Sequence, residues 1–147
     1  SLLNQHNHFT KLQNRDRFVK KYMTYLVHHE FGLDHRPYTL NENINRNIDK
    51  KSINYWLEQW IHVYKYLSKE KFSKKNNILY IDYEYLCKNF QRVLKCIQNK
   101  ANLKNTFFEN GDLKFSSKEL QITNGEFLSE AKMIFSKLKE LNNKNFL

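Results

Sequence analysis

Asn77-Ile78-Leu79-Tyr80-Ile81-Asp82-Tyr83 is the stretch on which the reading of the fold turns. A short apolar run between polar residues predicts a β-strand buried on both faces. One strand cannot stand alone, because its N–H and C=O groups need neighbours on each edge. The expected architecture is therefore the helix-rich half of an α/β protein whose other parallel strands lie upstream. The opening Ser1-Leu2-Leu3 falls in mid-pattern and suits a piece of a longer protein.

On either side of this run the apolar residues follow helical spacing. Ile53, Trp56, Leu57, Trp60, Ile61, Tyr64 and Leu67 obey the i, i+3, i+4, i+7 rule and predict a helix over 51–69. Val19, Tyr22, Met23 and Leu26 form a stripe within 15–30, and the residues before Arg15 suit a helix as well. Leu86, Phe90, Val93, Leu94, Ile97 and Ala101 predict a third helix over 86–101. A fourth opens on the capping-box spacing Thr123-x-x-Glu126 and carries Phe127, Ala131, Ile134, Leu138 and Leu141. The stretches 34–47, with the sole proline Pro37, and 102–121 have no period and read as loops.

Composition narrows the functions open to the chain. Its 147 residues suit one modest domain with a single core. No run approaches the roughly 18 to 20 apolar residues of a membrane-spanning helix. Three widely separated glycines, Gly32, Gly111 and Gly125, cannot build a phosphate-cradling loop, which needs several close together. Cys87 and Cys96 lie on opposite faces of the helix expected there and do not pair, so a reducing, cytoplasmic setting suits them. Twenty-five Lys and Arg against 15 Asp and Glu leave a net charge of +10, which attracts anions of every kind. The lysines are scattered in pairs at 20–21, 50–51 and 74–75 rather than gathered in a stripe. A nucleic-acid-binding module is thus the second reading, without a zinc-finger, RNP or KH signature behind it.

Chemistry concentrates in His28-His29-Glu30-Phe31-Gly32-Leu33-Asp34-His35-Arg36-Pro37. A zinc-protease helix needs His-Glu-x-x-His, and Leu33 takes the last place. A looser metal site from His29, Glu30 and His35 is opposed by Gly32, which is expected to end the helix between them. No metal is expected. Two readings stay open: buried histidines satisfied by the helix end and loop, or His28, His29, Glu30, His35 and Arg36 lining a substrate or anion pocket. Tyr83 is a further candidate, at the strand's carboxyl end where open α/β sheets bind ligands.

The order Trp56…Trp60, strand, Tyr83-Glu84-Tyr85-Leu86, apolar helix to Ala101-Asn102-Leu103 resembles the C-terminal half of sulfotransferases. Those enzymes use 3′-phosphoadenylyl sulfate (PAPS) and typically read Tyr-Glu-Asp-Leu here, where this chain has Tyr85 in place of Asp. Ser1-Leu2-Leu3-x-Gln5-His6-x-x-Phe9 is similar to the segment after the family's Arg-Asp-Pro stretch. His28-His29-Glu30-Phe31-Gly32 resembles a bacterial branch of the group.

The resemblance implies an α/β, P-loop-like three-layer fold with one clear strand in this segment. Residues 1–147 would be the C-terminal portion of a single domain, without its phosphate-loop part. It implies sulfuryl transfer from PAPS to a hydroxyl or amine of a small-molecule, sugar or lipid acceptor. Ser1 matches the serine that contacts the donor's 3′-phosphate, and Tyr83 the tyrosine lining the adenine pocket. The family's phosphate loop, general base and serine-partnering arginine have no match. The alternative in a different class is a basic nucleic-acid-binding or adaptor module without catalysis.

Overall fold

The computed structural model describes residues 2–38, 40, 48–75, 77–103, 125 and 127–146. Seven helices occur among them: α1 (Leu2–Arg15), α2 (Arg17–Tyr25), α3 (Ile53–Leu67), α4 (Glu70–Ser73), α5 (Tyr83–Lys88), α6 (Phe90–Ala101) and α7 (Leu128–Phe146). They belong to two compact units. The first takes Ser1–Tyr66 with Ile122–Ala131, the second Leu67–Gln121 with Lys132–Leu147. No helix is long and apolar enough to cross a membrane among the described residues.

The expected α/β fold is corrected by the stretch 77–83. No strand or sheet occurs among the described residues, and 78–82 is an irregular segment of the second unit. Its polar groups are met by side chains instead of neighbouring strands. The Asp82 N–H donates to Asn142 Oδ1 (2.9 Å), and the Tyr80 carbonyl accepts from Asn145 Nδ2 (3.0 Å). Two asparagines of α7 thus do for this segment what a β-ladder does elsewhere. The Tyr80 hydroxyl donates to the Leu67 carbonyl at 2.6 Å. Nor is the run covered on both faces: Ile78, Leu79 and Tyr80 are half-buried and Ile81 is exposed. The carboxyl end of the expected strand is a helix start. Asp82 caps α5, its Oδ1 accepting from Tyr85 N at 2.8 Å, so Tyr83 is the first helical residue.

The expected third helix is two. Asn89 leaves helical geometry (φ −130°), bonds back to the Tyr85 carbonyl (Nδ2, 3.1 Å) and separates α5 from α6. Asn102 then closes α6 in the left-handed conformation (φ +52°), which asparagine tolerates better than most residues. Val93 is fully buried in this unit, and Tyr85 stacks on the buried Phe146 with ring centroids 4.9 Å apart.

In the first unit α1 and α2 fall where helices are expected, divided at Asp16. Its Oδ1 accepts from Phe18 N at 2.7 Å and opens α2. That helix ends at Tyr25, well before Gly32, so the helix break expected at the glycine falls earlier. At the head of α3 the Ser52 hydroxyl accepts from Asn54 N (3.2 Å). The capping box at Thr123 and Glu126, and most of the loop 102–121, lie outside the described residues. Cys87 and Cys96 are both free thiols.

Candidate functional site

The histidine-rich segment folds as a loop held by buried polar side chains from α1 and α3. Gln13 of α1 is buried, accepts from Leu33 N through Oε1 (2.7 Å) and directs Nε2 at the Met23 sulfur (3.0 Å). His6, two turns earlier on the same face of α1, accepts from the Gly32 N–H through Nδ1 at 3.3 Å. This demands glycine. Gly32 has φ +90°, and a Cβ there would lie 2.4 Å from Gln13 Oε1.

His35 is the centre of the cluster. Its Nδ1 faces the His29 carbonyl at 3.2 Å and its Nε2 the Tyr55 hydroxyl at 2.7 Å. A neutral ring satisfies both, with Nδ1–H donating to the carbonyl and Tyr55 O–H donating to Nε2. Burial pushes the His35 pKa below its ordinary value, and the His29 carbonyl only partly opposes this. Burial likewise lowers His6, reinforced by the Lys50 charge. The Tyr55 hydroxyl is pushed up by burial and then by Glu58. His6, His35 and Tyr55 pack around Trp56, whose ring centroid lies 5.2, 5.0 and 5.2 Å from theirs respectively. The Trp56 indole N–H donates to the Lys50 carbonyl (2.8 Å).

The other members of the expected pocket take different places. His28 is exposed, with Nδ1 3.4 Å from Glu30 Oε2. His29 Nδ1 lies 3.0 Å from Asp34 Oδ2, at ion-pair distance without hydrogen-bond alignment. Arg36 is exposed and turned to the same Asp34 oxygen at 3.5 Å. The segment therefore does not converge on one point. His35 is core, Glu30 borders a pocket, His28 and Arg36 are exposed beside Glu30 and Asp34 respectively, and the half-buried His29 faces Asp34. Among the described residues no three His, Cys, Asp or Glu side chains are grouped to hold a metal ion.

That pocket, of about 440 Å³, lies wholly within the first unit. Phe31, Trp56, Trp60, Val63 and Tyr64 form its apolar wall, with Leu2 and Tyr38 also on its lining. Glu30, His35 and Gln59 complete the lining. Gln59 is 5% exposed, and neither its Oε1 nor its Nε2 has a hydrogen-bond partner among the described residues. The sequence marks Glu30 and His35 but not Gln59. A glutamine between Trp56 and Trp60 reads as the polar side of an amphipathic helix, and only the pocket shows that this turn of α3 is buried nearly all round.

Tyr83 belongs to the second unit, where its side chain is 57% exposed. A hydrogen bond with the Cys87 thiol, one turn on, is the main cause of its raised pKa. Ser1 lies outside the described residues. No family model, curated protein or solved structure matches this chain.

Proposed function

We propose that the chain is part of a cytoplasmic sulfotransferase and that its first unit holds the acceptor. The reaction moves a sulfuryl group: the donor's S–O bond to the 5′-phosphate breaks, a new bond from sulfur to the acceptor's oxygen or nitrogen forms, and a base takes the acceptor's proton. The nucleotide leaves as adenosine 3′,5′-bisphosphate. Support comes from the likeness of residues within 1–103 to that family, without the strand expected at 77–83, and one structural observation carries the acceptor half. The segment singled out from sequence puts Glu30 and His35 on the lining of an aromatic pocket.

An apolar wall beside a carboxylate suits an acceptor with an apolar body and disfavours the polyanionic donor. Tyr83 suits the donor, since its exposed ring offers a face on which adenine can stack. Cations and backbone N–H groups that steady the departing phosphate would come from residues other than these.

Calorimetric titration with adenosine 3′,5′-bisphosphate tests the reading on the protein with any chain that precedes Ser1. Saturable binding is expected. Tyr83→Ala should weaken it about fivefold to 150-fold, the range of a base–aromatic contact, while leaving the unfolding midpoint unchanged. Absence of saturable binding, with tight salt-sensitive binding of a short DNA duplex, would overturn the proposal in favour of a basic nucleic-acid-binding module.

A further inference from the structure

We infer that α2 is a peripheral membrane contact: its exposed aromatic face lies on an anionic lipid surface, with the neighbouring cations against the headgroups. The contact does not depend on sulfuryl transfer.

The helix carries two apolar stripes, and the fold uses one of them. At about 100° per residue, Val19 and Met23 share one side of α2, while Phe18, Tyr22 and Tyr25 share another. Met23 is buried and takes the Gln13 amide on its sulfur, and Val19 is half-buried. Phe18, Tyr22 and Tyr25 stay in water at 70%, 52% and 81% exposure. Leu26 and Val27, both exposed, continue the apolar surface past the helix end. Val27 stands in left-handed backbone (φ +58°), where glycine is usual, and no burial of its side chain offsets that strain. Single exposed apolar residues are ordinary, but five between 18 and 27 make a patch.

Charge decides what covers it. Residues 15–27 hold the cations Arg15, Arg17, Lys20 and Lys21 against one acid, Asp16, which caps the helix. None of these cations has an ion-pair partner among the described residues. Lys21 and Arg17 border the aromatic stripe round the helix. Rings beside cations suit a helix lying in a bilayer interface, with the rings at headgroup level and the cations on anionic lipid. A second copy is disfavoured, since two such faces would bring like charges together. A nucleic-acid strand is served less well. Phe18 and Tyr22 stack on each other (5.8 Å between centroids, 16° between planes), which takes up one face of each ring, and Leu26 and Val27 offer a base no ring.

Cosedimentation of the full chain with vesicles tests this, using phosphatidylcholine alone or mixed with about one-third phosphatidylserine. Saturable binding is expected on the mixed vesicles, and at least about tenfold weaker binding on phosphatidylcholine. Lys20→Gln with Lys21→Gln should weaken it about ten- to thirtyfold, since each cation near an anionic surface is worth about a fivefold factor. Phe18→Gln with Tyr25→Gln should weaken it about tenfold. Neither pair should move the urea midpoint, because all four side chains are exposed. Vesicle binding left intact by the aromatic pair would overturn the inference, because charge alone would then be acting. A lowered midpoint for that pair would overturn it too, by assigning the rings to the fold. So would absence of binding to the mixed vesicles; an oligodeoxythymidylate titration and sedimentation equilibrium of the aromatic variant would then show whether nucleic acid or a second copy takes the face. None of these readouts involves the nucleotide or the α3 pocket, so this inference and the sulfotransferase proposal stand or fall separately.

Discussion

Gly32 and Gln13 show how single residues make the candidate site. A left-handed backbone at Gly32 brings the loop N–H groups of residues 32 and 33 onto His6 and Gln13 of α1. Gly32→Ala would face both the positive φ and the 2.4 Å approach to Gln13 Oε1. We expect it to cost ~2 to 4 kcal/mol of stability in urea unfolding. In a Gln13→Ala background the same change should cost less, since only the backbone strain remains. Equal costs in the two backgrounds would show that the close approach does not matter. Little of this was legible beforehand. Gly32 stood out as a helix terminator, whereas its partners lie 19 and 26 positions upstream and have no local signature. The polar groups that hold the loop, Gln13 and His6, occupy helix positions that read as solvent-facing.

The elements divide into those with a local cause and those without one. Helices α2, α3 and α6 follow from apolar spacing, and limits such as those at Asp16 and Asn102 from capping residues. The segment 78–82 does not. Four apolar residues in a row fit a strand or any other half-covered segment, and period alone cannot separate the two. Its hydrogen-bond partners, Asn142 and Asn145, come some sixty residues later, on a helix whose asparagines read as solvent-facing. Asn142 is buried and holds the Asp82 N–H, the residue that caps α5. Asn142→Ala should therefore cost about 1 to 3 kcal/mol by stranding that donor. Hydrogen exchange at the Asp82 amide should speed up, while amides in the middle of α6 keep their protection. A variant with an unaltered Asp82 exchange rate would show that the asparagine is not its partner.

At the scale of the whole molecule, acid should act unequally on the two units. His6 and His35, both in the first, have pKa values lowered chiefly by burial. Lys50 and Lys51 push His6 the same way while Asp49 opposes, and for His35 Lys50 adds to the lowering against the His29 and Glu30 backbone groups. The unfolded chain takes up these protons near the ordinary value of 6.5, and the folded chain only at lower pH. Between those two points the unfolded state binds more protons, so stability is fully present above 6.5 and falls as pH drops through the window. Trp56 and Trp60 are the chain's two tryptophans and both belong to the first unit, so their fluorescence reports that unit, whereas far-UV circular dichroism reports all the helices. Urea unfolding followed by tryptophan should shift to lower denaturant between pH 7.5 and pH 5.5, and the dichroism curve should keep a component that does not move with it. Replacing His35 and Tyr55 together by Phe removes a titrating ring with its buried partner, an exchange that is nearly neutral when both members become apolar. That double variant should lose part of the acid shift in the tryptophan signal. If the two signals instead coincide at both pH values and the double variant moves neither, the acid-labile histidine core is not where the structure puts it.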